Sequence, residues 1–275
     1  MTPPGTKRPE QLREEIIRLG PWHLDVEVTP EVSTRASLDA PPGAYPDDFG
    51  GVSFLSARTG FVKLLRRVYP DGLDGRTVLD CACNCGAYLF WARELGAGEC
   101  LGFDVREHWI DQARFLASDR AKDSRGIRFE VCDLYDLGRL GSQTFDIVLF
   151  KGIFYHLPDP VTGLRLAADR AEELLLVNTA TRNGLPDGLL SLSEESADQL
   201  MSGVYGLNWL PTGPSVLDRT LRWMGFAETR LHWWTQDGGQ NPHLGRLEML
   251  AAREPEFFEQ FDAAPQELSA VEDSE

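Results

Sequence analysis

The stretch Thr77–Asp104, TVLDCACNCGAYLFWARELGAGECLGFD, decides the fold of this 275-residue chain. It begins with an apolar strand that ends at Asp80, passes through a loop of small residues into a helix, and ends with a second strand at Asp104. Strands and helices go on alternating to about Arg253, which predicts βαβ units. No helix separates the last two predicted strands, so we expect an antiparallel hairpin at one edge of the sheet.

This pattern predicts an α/β fold with a doubly wound, mostly parallel seven-stranded sheet. We predict an N-terminal cap over residues 1–70, a sheet domain over residues 71–253, and an acidic, disordered tail over residues 254–275. Segment 182–214 is too long for an ordinary connection. We therefore expect it to form a lid or binding surface at the rim of the active site.

Composition and charge favour some partners over others. The chain is 42% hydrophobic and carries a formal net charge of −16. Basic patches dominate affinity for nucleic acid, so nucleic acid is a disfavoured partner. No apolar run approaches the roughly 20 residues that span a bilayer, and no secretory h-region is visible. We expect a cytoplasmic protein without membrane contact, and the sequence leaves a homodimer open.

The loop after the first strand is poorly suited to phosphate. A dinucleotide-binding loop needs glycines so that its backbone can approach the pyrophosphate, and here only Gly86 is glycine. The other close-approach positions hold Ala82, which is small, and Asn84, which tolerates positive φ. The carboxylate of Asp80 would repel an anion but suit a ligand with an ammonium or sulfonium charge.

Three cysteines alternate along the same loop, at positions 81, 83 and 85. Their spacing does not match the two to four intervening residues typical of zinc ligands. Cysteine is among the most buried residue types, so we expect the thiols to pack in a tight loop.

The order Asp80-x-Ala82-x-Asn84-x-Gly86 resembles the first motif of class I S-adenosylmethionine-dependent methyltransferases, usually D/E-x-G-x-G-x-G. FDIVLFKGIFYHLPDP, residues 145–160, resembles the fourth-strand motif of the same family. The resemblance implies S-adenosylmethionine as the cofactor. The residues that it assigns to cofactor binding are Asp80, Ala82, Asn84, Gly86, Asp104, Val105, Asp133, Leu134, Lys151 and Arg58.

The resemblance also implies roles for some of these residues. Asp104 would bind the ribose hydroxyls, and Asp133 with Leu134 would contact adenine. Lys151 would lie by the methionine portion of the cofactor or meet the substrate instead. Arg58 would pair with the cofactor carboxylate or lie on a solvated helix face.

Candidate catalytic residues follow the fourth strand of this pattern. His156 is the expected general base for a hydroxyl acceptor; alternatively, it orients the YHLPDP turn. Asp159 is the second catalytic candidate. Asp133 and Asp159 could recruit Mg²⁺, although two oxygens do not make a magnesium site. The expected substrate contacts are Trp22, His23, Tyr155, Tyr205, Asn208 and Trp209.

The sequence therefore predicts an S-adenosylmethionine-dependent O-methyltransferase that acts on a hydroxyl of a saccharide or other small molecule. Two alternatives stay open. Residues 145–160 and 208–226 also resemble enzymes that transfer a carboxymethyl group to tRNA wobble uridine. The altered first motif and the acidic tail would also permit a non-catalytic, cofactor-binding partner protein.

Overall fold

A seven-stranded sheet lies at the centre of the computed structural model, which describes residues 7–45, 57–120, 124–236 and 241–263. The N-terminal elements are α1 (Pro9–Leu19), β1 (Glu27–Thr29), β2 (Val32–Ser33) and α2 (Arg58–Val68). The strands of the central sheet are β3 (Val78–Cys81), β4 (Cys100–Asp104), β5 (Ile127–Val131), β6 (Phe145–Lys151), β7 (Ala171–Arg182), β10 (Glu228–Thr235) and β11 (Leu244–Ala252). A separate hairpin is formed by β8 (Leu190–Glu194) and β9 (Leu207–Pro211). The remaining α-helices are α3 (Ala87–Glu94), α4 (Glu107–Asp119), α5 (Pro160–Ala168), α6 (Pro214–Trp223) and α7 (Glu259–Ala263).

The order of the central strands is β10-β11-β7-β6-β3-β4-β5. Strand β3 pairs in parallel with both β4 and β6, so the winding direction reverses beside β3. Strand β11 is antiparallel to both of its neighbours, β7 and β10. The predicted fold class is thus confirmed, as is the antiparallel hairpin at the sheet edge. A ligand crevice is expected at the carboxyl ends of the strands beside this reversal.

Helices cover both faces of the sheet. Ile147 and Leu149 of β6 belong to an apolar cluster that includes residues of α1 to α4. Val148 and Phe150 belong to a second cluster, which includes residues of α5 and α6. Because both faces of β6 are buried, residues 147–150 form a continuous apolar run, as expected for a parallel strand. Among the residues that the structure describes, no helix combines the length and apolar character needed to cross a membrane.

The prediction that disorder begins at residue 254 is wrong. Phe258 and Phe261 are buried in the cluster that also holds α2. The Nε of Arg67 donates to the carbonyl oxygen of Phe261 at 2.9 Å, and the guanidinium lies 3.8 Å from the centre of that ring. Phe258 lies in the turn before α7 and Phe261 within this helix, and their ring centres are 5.7 Å apart. The rest of the predicted tail, residues 264–275, lies outside the described residues.

Phe258→Ala should lower the free energy of unfolding by about 3–5 kcal/mol, because it leaves a cavity in a closed core. The free energy can be measured by urea denaturation. Gln260→Ala is the matched control on an exposed neighbouring position and should change stability by less than about 0.5 kcal/mol. Equal stability of the two variants would show that residues 254–263 do not belong to the packed core.

Candidate active site

The loop between β3 and α3 turns through alternate left-handed residues. The φ angles are 59° at Ala82, 51° at Asn84 and 75° at Gly86. The first two lack the freedom of glycine, and this conformation costs an L-residue about 1–2 kcal/mol. Asn84 gains a local contact, since its Oδ1 accepts from the N–H of Cys85 at 2.8 Å. At Gly86 a Cβ would also lie 2.4 Å from the Phe129 ring, so this glycine cannot be replaced without displacing the ring.

The three thiols of the loop are buried, as predicted. Cys81, Cys83 and Cys85 are all free cysteines inside the core. Burial raises the pKa of the Cys85 thiol to about 12, so this thiol remains protonated at neutral pH. Across the described residues, no group of three or more His, Cys, Asp or Glu side chains could hold a metal. The thiols therefore pack the loop against the sheet.

Asp104 ties the ends of β3 and β4 together. Its Oδ2 accepts from the N–H of Asn84 and its Oδ1 from the N–H of Arg106, each at 3.0 Å. Burial raises the pKa of Asp104 to about 6, although these N–H groups oppose the shift. Each oxygen keeps a second lone pair, which fits the ribose hydroxyls that the resemblance implies. The neighbouring Val105 is 41% exposed and offers an apolar surface beside the carboxylate.

Asp80 is the least solvated carboxyl group of the predicted cofactor site. It is 1% exposed, and its Oδ2 has no hydrogen-bond partner within the described part of the chain. Burial raises the pKa of Asp80 to about 8; Lys151 opposes this shift and Asp104 adds to it. A buried carboxyl with an unused oxygen suits a cationic ligand group, because the cation would compensate the charge of the carboxylate.

Lys151 is committed to an ion pair. Its Nζ donates to Oε2 of the buried Glu248 on β11, and it lies 5.1 Å from the ring centre of Tyr88. Asn178 Nδ2 and His232 Nδ1 also contact the same carboxylate. Burial alone would raise the pKa of Glu248, but Lys151 and His232 lower it to about 2. Lys151 therefore donates to Glu248 and acts on the predicted cofactor site through the effect of its charge on Asp80.

The structure favours the alternative prediction for Arg58, a solvated helix face, over a contact with the cofactor carboxylate. Arg58 pairs with Glu94, the last residue of α3, in a half-exposed contact. The candidate loop precedes the opposite end of this helix, and eight helical residues span about 12 Å. The basic residues of α2 gave no signal in the sequence about which end of α3 they would meet.

The loop that joins β8 to β9, residues 195–206, is called the insertion loop here. Arg106 holds it to the end of β4, because Nη2 lies 2.9 Å from the carbonyl oxygens of Gln199 and Ser202. Tyr205 holds it near the end of β5 by donating its hydroxyl hydrogen to Oδ2 of Asp133. The insertion loop thus crosses the carboxyl ends of the strands that form the predicted crevice.

The Asp133–Tyr205 contact changes the expectation for both residues. Asp133 also caps the turn after β5, since its Oδ1 accepts from the N–H of Tyr135 at 2.8 Å. Tyr205 lies at the predicted adenine side, and burial with the Asp133 contact raises its pKa. The predicted role of Tyr205 as a substrate contact therefore fits less well than a role in holding the insertion loop. Leu134, the other predicted adenine contact, is buried in the core.

His156 ends a 3₁₀ turn directly after β6 and meets the insertion loop. Its Nδ1 lies 2.8 Å from Oε2 of Glu195. The Tyr155 ring lies 4.0 Å from the His156 ring, centre to centre. Gly203 also approaches closely: its N–H lies 3.0 Å from both Nδ1 of His156 and Oε1 of Glu195. Among the described residues, no hydrogen bond involves Nε2 of His156.

Strand β9 places two predicted substrate contacts near His156. It packs against both the 3₁₀ turn 154–156 and β7. Oδ1 of Asn208 and Nε1 of Trp209 are buried and have no hydrogen-bond partner within the described residues. Consecutive side chains of a strand point to opposite faces, so β9 has an unused acceptor on one face and an unused donor on the other. Either atom suits a hydroxyl group of a ligand, because a hydroxyl both donates and accepts.

Trp22 and His23, the two predicted substrate contacts in the N-terminal part, have different environments. Trp22 is 2% exposed, and its Nε1 donates to the carbonyl oxygen of Ile16 at 2.7 Å. The prediction that Trp22 binds substrate is therefore wrong, because the ring is a core residue. Nδ1 of His23 is buried and has no hydrogen-bond partner among the residues that the structure describes, and burial with the nearby Arg246 lowers the pKa of His23 to about 4. Its substrate role stays a prediction.

Asp159 has a local structural role. Its two oxygens accept from the N–H and the hydroxyl of Thr162, at 3.1 and 2.6 Å, and so cap α5. These hydrogen bonds lower the pKa of the exposed Asp159 carboxyl. With Asp133 also occupied as a cap and no metal-binding group of three among the described residues, the geometry does not favour the predicted magnesium site or catalysis by Asp159.

Sequence reasoning missed Glu195, Gly203, Arg106 and Glu248. Glu195 lies in SEESADQL, a polar stretch without periodicity. Its neighbour Glu194 is equally acidic but exposed, so the sequence did not distinguish the two. Glu248 lies in the apolar strand RLEMLAA, and a charge in such a run is a signal of a buried ion pair that could have been used. No local pattern could have joined Arg106 to an insertion nearly a hundred residues away.

Binding of a cationic ligand beside Asp80 should release a proton. With a pKa of about 8, the carboxyl is mostly protonated at about pH 7 in the free protein. A positive charge favours the carboxylate, so affinity for S-adenosylmethionine should rise with pH up to about 8. Calorimetry in two buffers of different ionisation enthalpy should detect the release of close to one proton.

Asp80→Asn should abolish this proton release, because the amide does not titrate. Asp136→Asn, on an exposed position of the turn after β5, is the control and should retain the release. Binding of S-adenosylmethionine to the wild type without any proton exchange would contradict the assignment of Asp80.

Comparisons with solved structures agree with this architecture. The N-terminal domain of EvdMO1, crystallised in the presence of SAH and D-fucose, aligns with a TM-score of 0.68 and 17% identity, over 90% of this chain and 98% of that domain. A magnesium protoporphyrin IX methyltransferase from Synechocystis with bound SAM aligns with a TM-score of 0.50 and 16% identity, over 72% of this chain and 79% of the other. At these identities the likeness concerns the fold.

Curated relatives match shorter parts. A tRNA U34 carboxymethyltransferase from Campylobacter hominis is 36% identical over 93 residues, which are 34% of this chain and 31% of that protein. A ubiquinone biosynthesis O-methyltransferase from Neisseria meningitidis is 28% identical over 155 residues, which are 55% of this chain and 61% of that protein. The chain thus spans less than two thirds of the length of either relative.

The match to a family includes the candidate site from the loop after β3 to β9. The family described as "Methyltransferase domain" matches residues 73–212, about half of the chain. This match includes the loop of left-handed residues and the acidic ends of β3 and β4. It also includes the five parallel strands β3 to β7 of the central sheet. The chain therefore belongs to the methyltransferase domain family, and its fold is that of the S-adenosylmethionine-dependent class I methyltransferases.

Proposed function

We propose that this protein transfers a methyl group from S-adenosylmethionine to a hydroxyl of a saccharide or other small molecule, with His156 as general base. One observation carries the proposal. Within the described residues Nε2 of His156 has no hydrogen bond, and His156 lies after β6 beside β9, which carries the unpaired polar atoms of Asn208 and Trp209 on its two faces. A hydroxyl acceptor needs a base for its proton and hydrogen-bonding groups to orient it.

The residues at the carboxyl ends of β3 and β4 fit the cofactor. Asp104 has spare acceptor capacity for ribose hydroxyls, and the unpartnered Oδ2 of Asp80 suits a positive charge. When bound, S-adenosylmethionine supplies an electrophilic methyl group on a sulfonium centre. The protein would hold the acceptor in line with this group, accept its hydroxyl proton at Nε2 of His156, and exclude water with the insertion loop.

Support for a saccharide comes from the chemistry of β9. The indole N–H of Trp209 and the amide oxygen of Asn208 offer one donor and one acceptor in a buried setting. An indole ring additionally suits the apolar face of a sugar. D-fucose was present with the EvdMO1 domain, which has the same fold. A net charge of −16 also favours a neutral or cationic acceptor over a polyanion.

The similarity to tRNA U34 carboxymethyltransferases favours a second candidate function, modification of tRNA. Such an enzyme needs cations for the RNA and for a carboxylated donor. Here Lys151 is engaged by Glu248 and the whole chain is acidic. Filter binding with bulk tRNA should show no binding that weakens with salt, whereas salt-dependent, micromolar binding would support the tRNA function instead.

The direct test uses S-adenosylmethionine with a labelled methyl group and a panel of monosaccharides, oligosaccharides and small alcohols. We expect label in at least one hydroxyl compound and none in tRNA. Cofactor binding without transfer to any compound of the panel would favour the non-catalytic partner protein instead.

His156→Gln should lower kcat by about 10²–10⁴-fold, because the hydroxyl proton loses its acceptor. The dissociation constant of S-adenosylhomocysteine should stay nearly unchanged, since the proposed cofactor contacts are on β3 and β4. His243→Gln, on an exposed position of the chain, is the matched control and should keep wild-type kcat. A His156→Gln enzyme with normal kcat would rule out this base, and loss of cofactor binding would make His156 structural.

A further inference from the structure

Glu195 of the insertion loop contacts the proposed base with its carboxylate and has no role assigned to it so far. Nδ1 of His156 lies 2.9 Å from Oε1 and 2.8 Å from Oε2 of Glu195. The side chains of His156 and Glu195 are 17% and 9% exposed, so solvent screens their interaction little. We propose that Glu195 is a positioning residue that fixes the tautomer of His156, so that the insertion loop supplies half of the base. This inference rests on the proposed function.

The groups around Nδ1 select one tautomer. A carboxylate only accepts hydrogen bonds, so Nδ1 must carry the hydrogen that Glu195 accepts. The N–H of Gly203, 3.0 Å from both Nδ1 and Oε1, must then donate to Oε1. In the neutral ring, Nε2 therefore carries the lone pair and is the basic atom. Without Glu195, the same N–H would donate to Nδ1 and favour the opposite tautomer.

The same contact stabilises the charge that forms during transfer. The proton of the acceptor hydroxyl moves to Nε2, and an electron pair of its oxygen forms the bond to the methyl carbon. The electron pair of the carbon–sulfur bond returns to sulfur, which becomes neutral. His156 becomes an imidazolium, and the adjacent Glu195 carboxylate offsets this charge in a site of low solvent access.

The insertion loop brings Glu195 to His156 because several contacts hold the loop in place. Arg106 binds carbonyl oxygens on both sides of residue 200, and Tyr205 binds Asp133. At Gly203 a Cβ would lie 2.6 Å from Oε1 of Glu195 and 2.7 Å from the carbonyl oxygen of His156. Only glycine allows this approach, so the base is assembled when the loop lies across the strand ends.

Glu195→Gln tests the proposal because it keeps the shape of the side chain and reverses one hydrogen-bonding group. The Gly203 N–H holds the amide oxygen at the Oε1 position, which puts the NH₂ group at the Oε2 position, 2.8 Å from Nδ1. A donor at that position favours a lone pair on Nδ1 and hence the ring hydrogen on Nε2. The amide oxygen at the Oε1 position, 2.9 Å from Nδ1, competes less well for the hydrogen of Nδ1 because it already accepts from the Gly203 N–H. We expect kcat to fall by about 10²–10⁴-fold, with the dissociation constant of S-adenosylhomocysteine changed by less than about two-fold.

The tautomer can be read by NMR without an acceptor substrate. In protein with ¹⁵N-labelled histidine, the His156 signals are those missing from His156→Gln among the five histidines. We expect hydrogen on Nδ1 in the wild type and on Nε2 in Glu195→Gln. Glu194→Gln, the exposed neighbour on β8, is the matched control and should change neither the tautomer nor kcat.

The outcomes separate this inference from the proposed function. An unchanged tautomer in Glu195→Gln overturns the positioning role. So does a normal kcat in Glu195→Gln when His156→Gln is inactive, and in that case the proposed base still stands. Normal kcat in both variants overturns the base itself. An unfolded Glu195→Gln protein, detected by its melting temperature, would show that Glu195 supports stability and would also overturn the positioning role.

Discussion

The left-handed backbone at Ala82, Asn84 and Gly86 is the constraint on which the rest of the site depends. These turns let the chain leave β3, direct three thiols into the core and begin α3 within a few residues. They also bring the N–H of Asn84 to Asp104. A single buried carboxylate thereby couples the loop after β3 to the loop after β4. The hydrogen bonds of Asp104 thus fix the loops after β3 and β4 relative to each other at the crevice.

Two buried carboxyl groups near this crevice have pKa values shifted in opposite directions. Glu248 has Lys151, His232 and Asn178 as partners, and its pKa is low despite burial. Asp80 has an unused oxygen and a raised pKa. A buried charge that is paired stabilises the fold only when its partners are complete. The charge of Glu248 is therefore compensated within the sheet, whereas the carboxylate of Asp80 would gain a partner when a cationic ligand binds.

The insertion between β7 and α6 changes what the central sheet can do. Its loop contacts the ends of β4, β5 and β6 through Arg106, Asp133 and His156. The conserved geometry of a parallel sheet brings these three ends to one edge, but the sheet itself supplies no carboxylate to His156. A site made partly by an insertion can differ between proteins that share the same sheet. The fold therefore does not determine the substrate.

The sequence alone determined the sheet, its order of elements and the residues at the strand ends. Apolar periodicity and small-residue loops are local properties, and the positions of Asp80 and Asp104 followed from where each strand stops. The roles of Asp104 and His156 rest on the family resemblance and stay predictions. The disorder predicted from residue 254 failed because burial of Phe258 depends on α2, which is distant in sequence.

Only the tertiary structure decided which charges meet. Arg58 pairs with Glu94 and Lys151 with Glu248, and Trp22 enters the core rather than the crevice. Glu195 reaches His156 across 39 positions of the chain. Ion pairs and hydrogen bonds act over a few ångströms in space and leave no periodic trace in the sequence, so these contacts became visible only when the chain was folded.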